Sequence, residues 1–215
     1  AGYYDAYILK LNSDGSLAWQ KTYGGSSNDM AHSIQQTTDG GYIVAGYTYS
    51  FGAGNDDVYV LKLNSDGSLA WQKTFGGSYG DYAYSIQQTT DGGYIVAGST
   101  YSFEAGYYDA YILKLNSDGS LAWQKTFGGS YGDYAYSIQQ TTDGGYIVAG
   151  YTGSFGFGDY VLKLNRDGSL AWQKTYGGIW NDEAYSIQQT TDGGYIVAGY
   201  TESFGSGGRN VYILK

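Results

Sequence analysis

Cysteine and proline are absent from the 215 residues, and methionine and histidine occur once each. Without cysteine there are neither disulfides nor thiolate metal ligands, so cohesion must come from a packed core. A chain of this length buries roughly 70% of its unfolded surface, which is enough. His32 alone offers no zinc site of the usual kind and no Ser-His-Asp constellation; it stands where other copies of its motif carry tyrosine. Positive charge is also scarce: 11 Lys and Arg against 20 Asp and Glu leave a net charge of −9. That balance repels a phosphate backbone and an anionic bilayer, which argues against nucleic acid as a partner. No apolar run approaches the ~20 residues of a membrane helix, and no stretch shows an apolar stripe at helical spacing. The chain begins without Met or a signal-like segment, as expected of a mature or trimmed chain.

What is abundant points one way. Twenty-seven tyrosines and 36 glycines describe a turn-rich β protein. "SIQQTTDGGYIVAGYT" at 33–48 recurs almost unchanged at 85–100, 137–152 and 186–201. Trp19, Trp71, Trp123 and Trp172 are spaced by 52, 52 and 49 residues, a period that signals a solenoid or a propeller. Each period holds four strand-sized segments: A ("AYSIQQTT"), B ("YIVAGYT"), C ("VYVLKLN") and D ("LAWQKTF"). The Asp-Gly turns "TTDGGY" and "NSDGSL" join A to B and C to D as tight hairpins. Segments B and C are almost continuously apolar and need cover on both faces, whereas D alternates like a half-exposed outer strand. Four-stranded antiparallel sheets sandwiched between copies of themselves, with an amphipathic outer edge, are the blades of a β-propeller. The expected fold is therefore an all-β propeller over residues 1–215, with the four tryptophans packing between blades.

The stretch "YVLKLNSDGSLAWQKTFGGSYGDYAYSIQQTTDGGYIVAGYT" resembles the bacterial and archaeal propeller repeat called SBBP, in its Asp-Gly turn, Trp, "KTFGG" and final Gly-rich strand. The likeness spans essentially the whole chain. It implies the fold, and an extracellular or cell-surface setting. "DGSLAW" also resembles the tryptophan-docking motif of quinoprotein propellers, in which a Gly four residues before an outer-strand Trp stacks on the next blade's Trp. The wider quinoprotein motif is absent, so no cofactor is implied.

A, B and D each occur four times, but C occurs five times, because "AGYYDAYILK" at 1–10 duplicates "SGGRNVYILK" at 206–215. Residues 1–25 and 183–215 are expected to complete one blade and so remove two sheet edges. Four blades per chain result. The alternative is an eight-bladed ring of two chains joined head to tail, since near-identical blades do not distinguish an intrachain neighbour from an interchain one.

Topology places the A–B and C–D turns on one face and the B–C and D–A loops on the other. The first face is nearly invariant between copies, while the D–A loops read "SSNDMAH", "SYGDYAY" and "IWNDEAY". Tyr49, Tyr79, Tyr82, Tyr101, Tyr107, Tyr131, Tyr134 and Trp180 lie on the variable face, and rigid amphipathic rings suit glycan or protein recognition. A non-enzymatic binding module is the expected function. The alternatives are a scaffold repeat without a ligand and, third, a glycan-active enzyme.

The carboxylates recur in sets, and a catalytic acid/base pair needs two different environments rather than four copies of one. Asp14, Asp66, Asp118 and Asp167, and Asp39, Asp91, Asp143 and Asp192, read as turn formers. Asp29, Asp81, Asp133 and Asp182 read as caps on backbone N–H groups, with Ca²⁺ ligation the weaker alternative. Gln35, Gln36, Gln87, Gln88, Gln139, Gln140, Gln188 and Gln189 fall on the innermost strand, one of each pair facing a wet channel.

Overall fold

In a computed structural model, which describes residues 3–103, 106–205 and 207–215, seventeen strands form five antiparallel sheets, with no helix among the described residues. A two-stranded sheet of β1 (Ala6–Leu11) and β2 (Leu17–Tyr23) comes first. Three complete blades follow. They comprise β3 (Asp29–Gln36), β4 (Tyr42–Thr48), β5 (Asp57–Leu63) and β6 (Leu69–Phe75); β7 (Asp81–Gln88), β8 (Tyr94–Thr100), β9 (Asp109–Leu115) and β10 (Leu121–Phe127); and β11 (Asp133–Gln140), β12 (Tyr146–Thr152), β13 (Gly158–Leu164) and β14 (Leu170–Tyr176). A three-stranded sheet of β15 (Asp182–Gln189), β16 (Tyr195–Thr201) and β17 (Asn210–Leu214) ends the chain. Segments A to D thus appear in order as a meander, each strand pairing with its chain neighbour.

The burial of each strand follows its sequence. In the middle blade every residue of β8 and β9 is buried, as continuous apolar runs require, while the outer β10 is mostly exposed. The core lies between blades rather than within them: Ile43 and Val60 of one sheet cluster with Ile86, Val96 and Leu113 of the next. The following seam repeats this with Ile95, Ile112, Ile138 and Leu162.

The tryptophans close each seam at its outer edge. Trp19, Trp71 and Trp123 each meet the B-strand tyrosine of the next sheet edge-on, at centroid distances of 5.8, 5.9 and 5.9 Å from Tyr42, Tyr94 and Tyr146. Each also lies flat on the C–D turn glycine of that next sheet. A methyl on Gly67 would sit 3.0 Å from Trp19, and one on Gly119 or Gly168 would sit 2.9 Å from Trp71 or Trp123. The glycine therefore stacks on the preceding blade's tryptophan, the reverse of the direction implied by the quinoprotein resemblance. These turn glycines also hold positive φ, 76° at Gly67, so two demands select the residue.

The A strands carry an irregularity the sequence pattern does not announce. Register slips between Ala31 and Ser33, and again between Ala83 and Ser85, Ala135 and Ser137, and Ala184 and Ser186. The bulge places Ser33 Oγ where it accepts from the Ile86 N–H of the next sheet at 3.3 Å, and Ser85 and Ser137 do the same for Ile138 and Ile187.

Candidate functional site

The four A strands face one another around a cleft of about 330 Å³ lined by Ile34, Ile86, Ile138 and Ile187 and by Gln35, Gln87, Gln139 and Gln188. The glutamines are blade-to-blade fasteners. Gln35 Oε1 accepts from the Gln88 N–H at 2.6 Å, Gln87 from Gln140 at 2.7 Å and Gln139 from Gln189 at 2.7 Å. The second member of each pair reaches back: Gln88, Gln140 and Gln189 accept from the Thr38, Thr90 and Thr142 N–H groups. Only the first glutamine of each pair lines the cleft, as strand alternation requires, and in Gln35, Gln87 and Gln139 even that side chain is engaged across a seam.

The two Asp-Gly turns behave as Asx geometry demands. Asp39 Oδ1 accepts from the Gly41 N–H at 2.9 Å and from the Thr37 hydroxyl at 2.5 Å. The Lys62 ammonium, buried along its stem, pairs with the same carboxylate at 2.9 Å, and Lys114–Asp91, Lys163–Asp143 and Lys215–Asp192 repeat the pair. These contacts hold the carboxyls down: hydrogen bonds from Thr141, Lys163 and Gly145 take Asp143 to about 2. Asp14, Asp66, Asp118 and Asp167 accept from the backbone and hydroxyl of Ser16, Ser68, Ser120 and Ser169.

On the opposite face, Asp29 ties the D–A loop to the B–C loop. Its Oδ2 accepts from the Gly25 N–H at 2.8 Å and the Ser50 hydroxyl at 2.7 Å, and its Oδ1 from the Thr48 hydroxyl. Asp133 and Asp182 repeat these caps, and Asp81 accepts from Gly77 and Ser102. The oxygens offered as calcium ligands are thus largely engaged by protein donors. Among the described residues, no three His, Cys, Asp or Glu side chains group in a way that would hold a metal ion.

Sequence reasoning missed a second set of carboxylates beneath these caps. Asp57 is buried close to Asp81, its Oδ1 and Asp81 Oδ2 both lying within 2.5 Å of where a methyl on Gly76 would stand. Burial, with Asp81 and Asp56 adding repulsion against a bond from Ala53, raises Asp57 to about 6. Asp159 is the extreme case: 1% exposed, both oxygens without a hydrogen-bond partner, and raised to about 7 by burial and then by Asp182 and Glu183. Its cause is a register effect of the trimmed B–C loop. Thr152 pairs with Gly158 where Thr48 pairs with Asp57, so Asp159 occupies the slot filled by Val58. Aligning backwards from the "LKL" of each C segment would have shown this.

Most aromatic residues of the variable face fall into one connected cluster and one separate stacked pair. Tyr79 meets Tyr101 edge-on at 5.5 Å, Tyr101 meets Tyr108 at 5.2 Å, and Tyr108 contacts both Tyr82 at 5.9 Å and Tyr134 at 5.7 Å. Tyr107 stacks on Tyr131 at 6.1 Å. Tyr108, the hub, was not singled out from sequence. Tyr82 and Tyr134 are half-buried supports: the Tyr82 hydroxyl donates to Asp56 at 2.9 Å, and burial takes the Tyr134 phenol to about 12. Tyr49, Tyr79, Tyr107, Tyr131 and Trp180 stand exposed above them, Trp180 at the far end with its backbone N–H bonded to Ser203. His32 takes the tyrosine position its motif implies, stacked on Tyr84 at 5.6 Å with Nδ1 2.9 Å from the Ala83 carbonyl oxygen.

Comparison with known proteins agrees with this architecture. The model of a family described as "Domain of unknown function (DUF5122) beta-propeller" matches residues 37–69 and 89–121. The WD40 domain of Neurospora crassa Pan2 superposes with a TM-score of 0.58, at 9% identity over 92% of this chain and 56% of that one. The chain is a β-propeller. An exo-beta-1,3-galactanase from Phanerochaete chrysosporium (TM-score 0.51, 14% identity, 80% of this chain and 41% of that one) shares the fold. So does an endo-arabinase from Bacteroides thetaiotaomicron (0.50, 13%, 98% and 93%). The propeller spans about half the length of the first structures it matches, and no curated protein matches it.

Proposed function

We propose that this propeller is a non-enzymatic interaction module that recognises a protein segment or glycan on the face formed by its D–A and B–C loops. The observation that supports it is the tyrosine cluster: Tyr82, Tyr108 and Tyr134 are locked by ring contacts and hold the exposed Tyr79 through Tyr101, while the exposed Tyr107 and Tyr131 stack on each other. Rings already held in place lose little side-chain entropy on binding and present an apolar body with a polar tip. The two carboxyls of strongly raised pKa, Asp57 and Asp159, are sealed from solvent and out of reach of a substrate, which favours binding over hydrolysis. The test is an array of neutral oligosaccharides and a displayed peptide library, probed with the wild type and with a Tyr79→Ser/Tyr131→Ser/Trp180→Ser variant of unchanged circular dichroism. A signal lost in the variant is expected; equal signal from both proteins, or none from either, refutes the reading.

A further inference from the structure

The three seams between the successive sheets of β3–β17 are built alike, and the two ends of the chain carry the separate halves of a further one. At the C-terminal end Ile196 is 37% exposed, whereas its counterparts Ile43, Ile95 and Ile147 are fully buried. At the N-terminal end Ile34 is 51% exposed, whereas Ile86, Ile138 and Ile187 are at 5–6%. In each built seam those two positions belong to one cluster: Ile43 with Ile86, Ile95 with Ile138, Ile147 with Ile187. The tryptophan contact is split in the same way. Trp172 has its tyrosine, Tyr195, at 6.0 Å, but no turn glycine, because β15–β17 lacks a C–D turn. Gly15, the turn glycine of β1–β2, has positive φ like the other three, and a methyl on it would meet no atom within 4 Å. A cavity of about 170 Å³ beside Trp172, Tyr176 and Leu214 lies where the missing outer strand belongs. A groove of about 270 Å³ along Ile8, Ala31, Ile34 and Val44 lies where a missing A and B strand belong.

We infer that a second copy of this chain completes the seam. The β1–β2 hairpin of one copy takes the place of β17 on β16 of the other, seating Trp172 on the partner copy's turn glycine and Ile196 against its exposed isoleucine. Only this placement reproduces the observed seam, because the docking glycine sits in the turn that joins a C strand to a D strand. The occupant is another copy rather than the chain's own start: in one chain β1–β2 and β15–β17 are separate sheets, and neither Ile34 nor Ile196 is covered. The interface is heterologous, and two copies use both of their ends and close. Lys10, the C-strand lysine of β1, then takes over Asp192 from Lys215.

Light scattering and native mass spectrometry of the full chain test this. The expected species has twice the 23.2 kDa chain mass. Ile34→Asp and Gly15→Asn alter groups exposed in the single chain, and asparagine tolerates the positive φ. Each is expected to raise the dissociation concentration at least about tenfold with unchanged circular dichroism. Lys10→Glu weakens the dimer and Lys215→Glu does not. A single-chain species at all concentrations, an open ladder of larger species, a double-mass species indifferent to Ile34→Asp and Gly15→Asn, or greater sensitivity to Lys215→Glu overturns the inference.

Discussion

Replacing Asp159 by valine should stabilise this propeller, by an amount that grows with pH. Below pH 3.8 the carboxyl is protonated in both the folded and the unfolded chain and carries no penalty. Between 3.8 and about 7 the unfolded chain releases the proton while the folded chain retains it, so wild-type stability falls as pH rises. Above about 7 the deficit levels off. A carboxyl moved from 3.8 to about 7 corresponds to about 4 kcal/mol, an upper figure for a buried group whose surroundings relax. Valine is the residue at the same register in β5, where Val58 is 1% exposed, so the site accepts the shape. Urea unfolding at fixed protein concentration, from pH 4 to 8.5, is the assay. The gap between variant and wild type should widen by up to about 4 kcal/mol across that range, or roughly 8–16 °C in Tm. A gap that does not change with pH, or that narrows, refutes the assignment of a buried carboxyl in an apolar slot.

Two further outcomes follow from the caps and the bulge. Asp143 and Asp192 are lowered to about 2 by hydrogen bonds from Thr141 and Thr190 and by their lysines, so their contribution is present above pH 4 and lost as pH falls through 2. Urea midpoints should therefore decline below pH 4, and less steeply in the Asp143→Asn/Asp192→Asn variant, which keeps the equivalent Asp39 and Asp91 pairs; an unaltered limb excludes these residues as a source. Gly98→Ala should cost 3 kcal/mol or more, above the usual ~1–3 for overpacking, because the added methyl collides with the Tyr82 backbone carbonyl rather than with a movable side chain. A loss under about 1 kcal/mol, read by the same denaturation, would show that the ladder yields there.

Period, turn chemistry and apolar runs made the sheets legible: "YIVAGYT" and "LAWQKTF" are β4 and β6 residue for residue with Tyr42–Thr48, and with Leu69–Phe75. The face assignment also emerged from strand order, because an up-and-down meander leaves no choice. Other features needed three-dimensional register. The bulge after Ala83 is invisible because Tyr84 and Ser85 each suit a strand, and only the ladder shows that one of them has no partner. Asp159 reads as a loop carboxylate until its pairing with Tyr151 and Tyr176 places it inside β13. The glutamines looked like channel amides, and their real work is sideways, across the seams, because a backbone N–H from the next sheet is nearer than the axis.

The amide bonds between inner strands all run one way, Gln35 receiving from Gln88, Gln87 from Gln140 and Gln139 from Gln189. The second glutamines answer in the opposite sense, Gln88 accepting from the Thr38 N–H, so every blade has two unlike sides that mate only one way round, like a row of identical bricks with tongue and groove. Removing or inserting one whole brick leaves each remaining joint correctly mated, whereas reversing a brick, or cutting one in the middle, spoils two. A gene that lengthens or shortens in whole-repeat steps therefore keeps encoding a protein whose joints all fit.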